Sequence, residues 1–128
     1  VLFPSPQYSE DENKRLFPAC HALIEGLLKG GRPVIFDATN LRVRHREYLY
    51  HIADKARAKT ILVYAKAPQE VVKQRLLERE READSQAGWE VYQRMKHRKE
   101  KISRDHFVVD TSQDIAAAID KIVRTIRR

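Results

Sequence analysis

The segment Val34–Arg46, VIFDATNLRVRHR, constrains this chain more than any other. Val34, Ile35 and Phe36 form an unbroken apolar run after the Gly30-Gly31-Arg32-Pro33 break. A run without polar alternation predicts a strand covered on both faces, as in parallel sheets. It ends on the carboxylate of Asp37. Thr39 and Asn40 follow at once, then Arg42, Arg44 and Arg46. Open α/β sheets bind ligands outside the carboxyl ends of their strands. Asp37 therefore has the position of a carboxylate that holds Mg²⁺, or a Mg²⁺-bound water, beside a phosphate.

The flanking segments predict alternating helices and strands. Val1–Tyr8 contains Pro4 and Pro6 and reads as a loop. Ser9 and Glu12 fit a capping box that opens a helix. Leu16, Cys20, Leu23, Ile24 and Leu27 give that helix one apolar stripe. Pro18 predicts a kink or restart, and Gly30-Gly31 a stop. A second helix is expected over Arg44–Arg57, with Tyr48, Leu49, Ile52, Ala53 and Ala56 inward. Thr60–Ala67, TILVYAKA, reads as a second strand. Pro68 suits the first turn of a third helix, on which Arg75 and Arg79 lie four apart. Glu78–Gln86 is a charge run, read as a solvated helix end and loop. Trp89–Lys99 predicts another helix with Trp89, Tyr92 and Met95 near one face. His106–Asp110 reads as a third strand. Thr111 and Asp114 resemble a capping box for a last helix striped by Ile115, Ile119, Ile122, Val123 and Ile126. Strands alternating with helices predict one α/β domain over residues 1–128, a doubly wound parallel sheet with flanking helices.

Net charge is +7, which favours polyanionic partners and equally suits a merely basic surface. Arg94–Arg104 concentrates six Lys and Arg residues around one acid, Glu100. No apolar run approaches the length of a membrane span, so no membrane partner is expected. A lone Cys20 excludes an internal disulfide and favours a reducing compartment, the cytoplasm. His21, His45, His51, His97 and His106 show no metal-ligand spacing.

Asp37-Ala38-Thr39-Asn40-Leu41 resembles the D-[AT]-T-N-L segment of P-loop kinases of the polynucleotide-kinase and zeta-toxin type, a group that includes AAA-domain predicted kinases. Pro68-Gln69-Glu70-Val71-Val72, leading to Arg75 and Arg79, resembles the start of their lid, here about residues 75–98. Trp89-Glu90-Val91-Tyr92 and Val109-Asp110-Thr111-Ser112 resemble their later landmarks. The resemblance covers nearly the whole chain, with one large departure. No G-x-x-x-x-G-K-[ST] phosphate loop occurs in these residues.

The resemblance implies a kinase domain that moves the γ-phosphoryl of ATP to a hydroxyl with Mg²⁺. The acceptor is a polynucleotide 5′-hydroxyl or a small molecule. Asp37 then takes the metal and catalytic role; otherwise it is a turn-forming Asp at a strand end. Thr39 and Asn40 line the acceptor or γ-phosphate side, or simply start the next helix. Arg75 and Arg79 clamp the phosphate tail, and Arg79 stabilises transition-state charge; the alternative is pairing with the adjacent glutamates. Arg46 packs the sheet's loops. Thr111 and Ser112 approach the adenine, or cap the last helix. The family's acceptor-activating base has no matching position here. A reading from a different class is a non-catalytic nucleic-acid-binding module that uses the basic segment 94–104.

The absent phosphate loop carries a further expectation. In this family its strand lies between the one ending at Asp37 and the one over Thr60–Ala67. Two buried parallel strands cannot leave their inner edges unpaired without losing hydrogen bonds. An upstream segment or another chain is therefore expected to supply the P-loop, and these 128 residues alone to be inactive and to bind ATP weakly. A sheet closed in another order is the alternative.

Overall fold

Two short strands carry the only β-ladder among the described residues: β1 (Val63–Lys66) and β2 (Phe107–Asp110). They run parallel, in register from Val63 opposite Phe107 to Lys66 opposite Asp110. The computed structural model describes residues 10–39, 42–82 and 88–128. The helices in chain order are α1 (Glu10–Lys29), α2 (Val43–Lys55), α3 (Gln69–Glu82), α4 (Trp89–Lys96) and α5 (Ala116–Arg127). The architecture is a small α/β one with a two-stranded parallel sheet. The chain divides into two compact units. The first comprises Val1–Thr60 with Glu90–Glu100, the second Ile61–Trp89 with Lys101–Arg128.

In the first unit α1 packs on α2. Ile24, Tyr50, Ile52 and Ala53 are buried, and burying a side chain such as Ile52 contributes about 2 kcal/mol. Tyr50 takes the inward place expected of Tyr48, whose ring instead lies 4.6 Å from His21 in a stacked pair. Phe17 lies 4.9 Å from His45 across the same seam. Of the kink or restart expected at Pro18, the restart does not occur: α1 runs unbroken through it. The Ser9–Glu12 capping box lies outside the described residues. The glycine stop is present. Gly31 adopts φ +76, its N–H bonds to the Leu28 carbonyl, and the Arg32 N–H reaches back to Leu27. Those two bonds satisfy end carbonyls of α1, and only a residue without Cβ adopts this φ cheaply.

Val34–Asp37 departs from its reading. The segment is no strand, and Ile35 is 97% exposed. Strand identity requires a neighbour for the backbone N–H and C=O groups, and none of the described residues supplies a ladder here.

In the second unit the ladder continues beyond both strands. The Phe107 N–H donates to the Leu62 carbonyl and the Thr111 N–H to the Lys66 carbonyl, at 2.9 and 2.8 Å. Both strands are shorter than expected at their ends. α5 packs on β2, where Val109 is buried. Its stripe is only partly covered: Ile119 and Ile126 remain exposed. No described helix is long and apolar enough to cross a membrane.

Candidate functional site

The carboxyl ends of β1 and β2 are fastened together by hydrogen bonds that run through Thr111. Its hydroxyl donates to the Lys66 carbonyl at 3.3 Å. The same hydroxyl oxygen accepts Arg75 Nη1–H at 2.8 Å, and the Thr111 carbonyl accepts Arg75 Nη2–H at 2.8 Å. Arg75 projects from α3, so this fork ties the helix to the loop after β2. Two of the five guanidinium N–H donors are engaged in it. The alternative reading, Arg75 paired with an adjacent glutamate, is not seen among the described residues. Nor does Thr111 cap α5: Asp114 accepts the Ala116 N–H at 3.0 Å instead. The reason is reach. Thr111 continues the ladder, so its hydroxyl faces Lys66 and Arg75 rather than the helix start.

Asp110 closes the same loop on itself. Its Oδ1 accepts Ser112 Oγ–H at 2.6 Å and Ser112 N–H at 2.9 Å. These bonds, the hydroxyl first, hold its carboxyl below the usual carboxylate range, with smaller help from Lys66 and Arg75. Charge-assisted bonds of this kind fix loop shape. Arg79 sits one turn beyond Arg75 on α3, exposed, and makes no side-chain hydrogen bond or ion pair among the described residues. Trp89 serves α3 from its far end. Its N–H donates to Glu80 Oε1 at 3.1 Å, and Lys73 Nζ lies 5.5 Å from its ring centroid. That contact is a cation–π pair, consistent with a packing role.

The other proposed site residues lie in the first unit. Asp37 and Thr39 are exposed in the extended segment after α1; Asn40 lies outside the described residues. The structure thus brings Arg75 and Thr111 together and leaves Arg79 beside them. Asp37 and Thr39 belong to the first unit, and Arg75, Arg79 and Thr111 to the second. No group of three or more His, Cys, Asp or Glu residues that could hold a metal occurs among the described residues. A lone exposed carboxylate fits Mg²⁺, which takes one or two carboxylates and completes its shell with phosphate oxygens and water.

Arg46 is 5% exposed and donates from Nη2 to the Glu100 carbonyl at 3.0 Å. The Glu100 carboxylate in turn accepts the Val43 N–H at 3.1 Å, supplying an N-terminal cap for α2 from 57 residues away. Sequence reasoning missed Glu100; its one signal was to be the sole acid in a basic run. Lys99 holds its proton less firmly than usual, through burial and then the Arg46 charge. His45 is lowered as well, by burial and then by Arg44 and Arg42, with Glu100 opposing.

No curated protein and no solved structure matches this chain. A family model described as an AAA domain matches residues 2–102, well over half of the 128. That span takes in Asp37, Thr39, Arg75 and Arg79 and stops before Thr111. That match, together with the parallel α/β ladder, makes the conclusion plain: the chain belongs to this AAA domain family of P-loop NTPase-like, nucleotide-binding proteins.

Proposed function

We propose that this chain forms most of an ATP-dependent kinase domain, a single doubly wound domain acting in the cytoplasm on a hydroxyl acceptor. The observation that carries the reading is the Arg75–Thr111 fork with Arg79 one turn away and unpartnered. Arg75 is held by the loop at the carboxyl end of β2, and Arg79 follows one turn further along the same helix. Phosphoryl transfer demands such positioned cationic charge more than covalent chemistry.

Mg²⁺-ATP supplies the transferable phosphoryl group when bound. Asp37 would hold the metal or one of its waters. Thr39 and Asn40 would hydrogen-bond on the acceptor or γ-phosphate side. Arg75, oriented by Thr111, would gather the phosphate tail, and Arg79 would balance charge that develops during transfer. The lid spans about residues 75–98 in this reading, by the family resemblance. An upstream segment or another chain would supply the P-loop, and its strand would pair along Val34–Asp37, where Ile35 is exposed.

The test is Arg79→Ala in the protein that carries the phosphate loop. ATP turnover should fall about 10³-fold or more. Thermal stability should hold, because an exposed arginine contributes little. Unchanged turnover overturns the assignment. Tight Mg²⁺-dependent ATP binding by these 128 residues alone would overturn the separate supply of the loop.

A further inference from the structure

The start of α2 is electrostatically inverted. Helix N-termini favour acids, since the peptide dipoles leave partial positive charge there. α2 has no acid in its first turn and begins with Arg42 and Arg44. Beside it lies a second basic segment, the end of α4 and the turn after it, with Arg94, Lys96, Arg98 and Lys99. The two segments are far apart in sequence and are joined at Glu100, through its carboxylate to Val43 and its carbonyl to Arg46. Arg98 precedes Glu100 by two residues, so its Cα lies within about 7 Å of the joint.

At the joint the Glu100 carboxylate, the one acid of its basic segment, accepts the Val43 N–H. Arg42, Arg44, Arg94 and Arg98 are exposed and make no side-chain hydrogen bond or ion pair among the described residues. The neighbours feel a positive field in addition to burial, which is the larger cause at both: Arg44 and Arg42 disfavour the cation at His45, with Glu100 opposing, and Arg46 disfavours it at Lys99. Gathered arginines that outnumber the single acid at their joint, Glu100, hold counterions that a polyanion can displace.

We propose that Arg42, Arg44 and Arg98, on the surface joined at Glu100, contact the phosphate backbone of a nucleic acid strand. Under the kinase reading, on which this role rests, the bound strand is the acceptor that brings a hydroxyl to the domain. Arginine forks match phosphate oxygens in pairs, and the contacts carry no base sequence information. Binding should therefore be tolerant of sequence and steep in salt.

The experiment is fluorescence anisotropy with the 128-residue chain and a labelled single-stranded DNA of mixed sequence, without ATP. Affinity should fall as salt rises from about 50 to 200 mM, with a log–log slope of about −0.7 for each phosphate contacted. The double variant Arg42→Ala with Arg44→Ala should shallow that slope by about 1.4, and Arg98→Ala by about 0.7. Arg46 is left intact because it is buried. Arg124→Ala with Arg127→Ala, on the exposed end of α5, removes the same charge elsewhere and should leave the slope unchanged. Equal losses from the α5 pair would show a mere net-charge effect and overturn the proposal. So would unaltered binding by the Arg42/Arg44 variant, absence of binding at low salt, or retention on phosphatidylserine vesicles without oligonucleotide binding. ATP plays no part in this measurement, so its failure is distinct from a failure of the Arg79→Ala test.

Discussion

Arg46→Met tests whether the joint at Glu100 holds the first unit together. Methionine keeps much of the apolar stem while removing the guanidinium, so packing is disturbed least. A hydrogen bond from a charged donor contributes about 1.5–3 kcal/mol. The Glu100 side is exposed and its carbonyl can turn to water, which places the expected loss near the middle, about 2 kcal/mol. Relief of the Arg46–Lys99 repulsion offsets a small part of it. For a chain of this length that loss corresponds to a fall in thermal midpoint of about 8 °C. Urea denaturation followed by far-UV circular dichroism measures it, with an unchanged m-value indicating that the unfolded state is not the cause. Glu100→Ala removes the cap on Val43 but keeps the carbonyl, and should cost about 1 kcal/mol. The two losses should not add, because both bonds depend on where residue 100 sits; a coupling of at least about 0.5 kcal/mol is expected. Arg46→Met as stable as the parent, or strict additivity with Glu100→Ala, would refute the joint.

Stability should also decline as pH falls below the ordinary histidine value of 6.5, through His21 and His45. Burial, then His45, lowers His21 below its ordinary 6.5, so the unfolded chain takes up protons first. The contribution is complete above that value and is lost as pH falls through the folded pKa. His21→Phe keeps a ring against Tyr48 and should flatten the thermal midpoint against pH; an unflattened curve would dismiss the histidine seam. The glycines predict opposite effects. Gly26 is helical with open space around its Cβ position, so Gly26→Ala should stabilise by about 0.5–1 kcal/mol. Gly31 has open space too but φ +76, so Gly31→Ala should destabilise by about 1 kcal/mol, from backbone alone. Equal denaturation midpoints for the two variants would contradict this.

Local pattern determined the elements whose partners lie nearby in the chain or within their own backbone. The helical spacing from Leu16 to Leu27, the Gly30-Gly31 stop, and the apolar runs that became β1 and β2 could be read directly, because a helix bonds within itself and a short apolar run seeks burial. The segment from Asp37 to Arg79 also carried enough motif for family membership to be expected. Tertiary structure decided whatever needed a distant partner. Val34–Asp37 has the composition of a buried strand, yet its backbone meets no ladder among the described residues, and composition cannot supply one. Thr111 had the spacing of a helix cap, but the carbonyl of Lys66 and the fork of Arg75 hold it, 45 and 36 residues away. Glu100 looked like one acid lost in a basic run. Only folding brings it to the bare N-terminus of α2, where the Val43 N–H has no partner of its own within the helix.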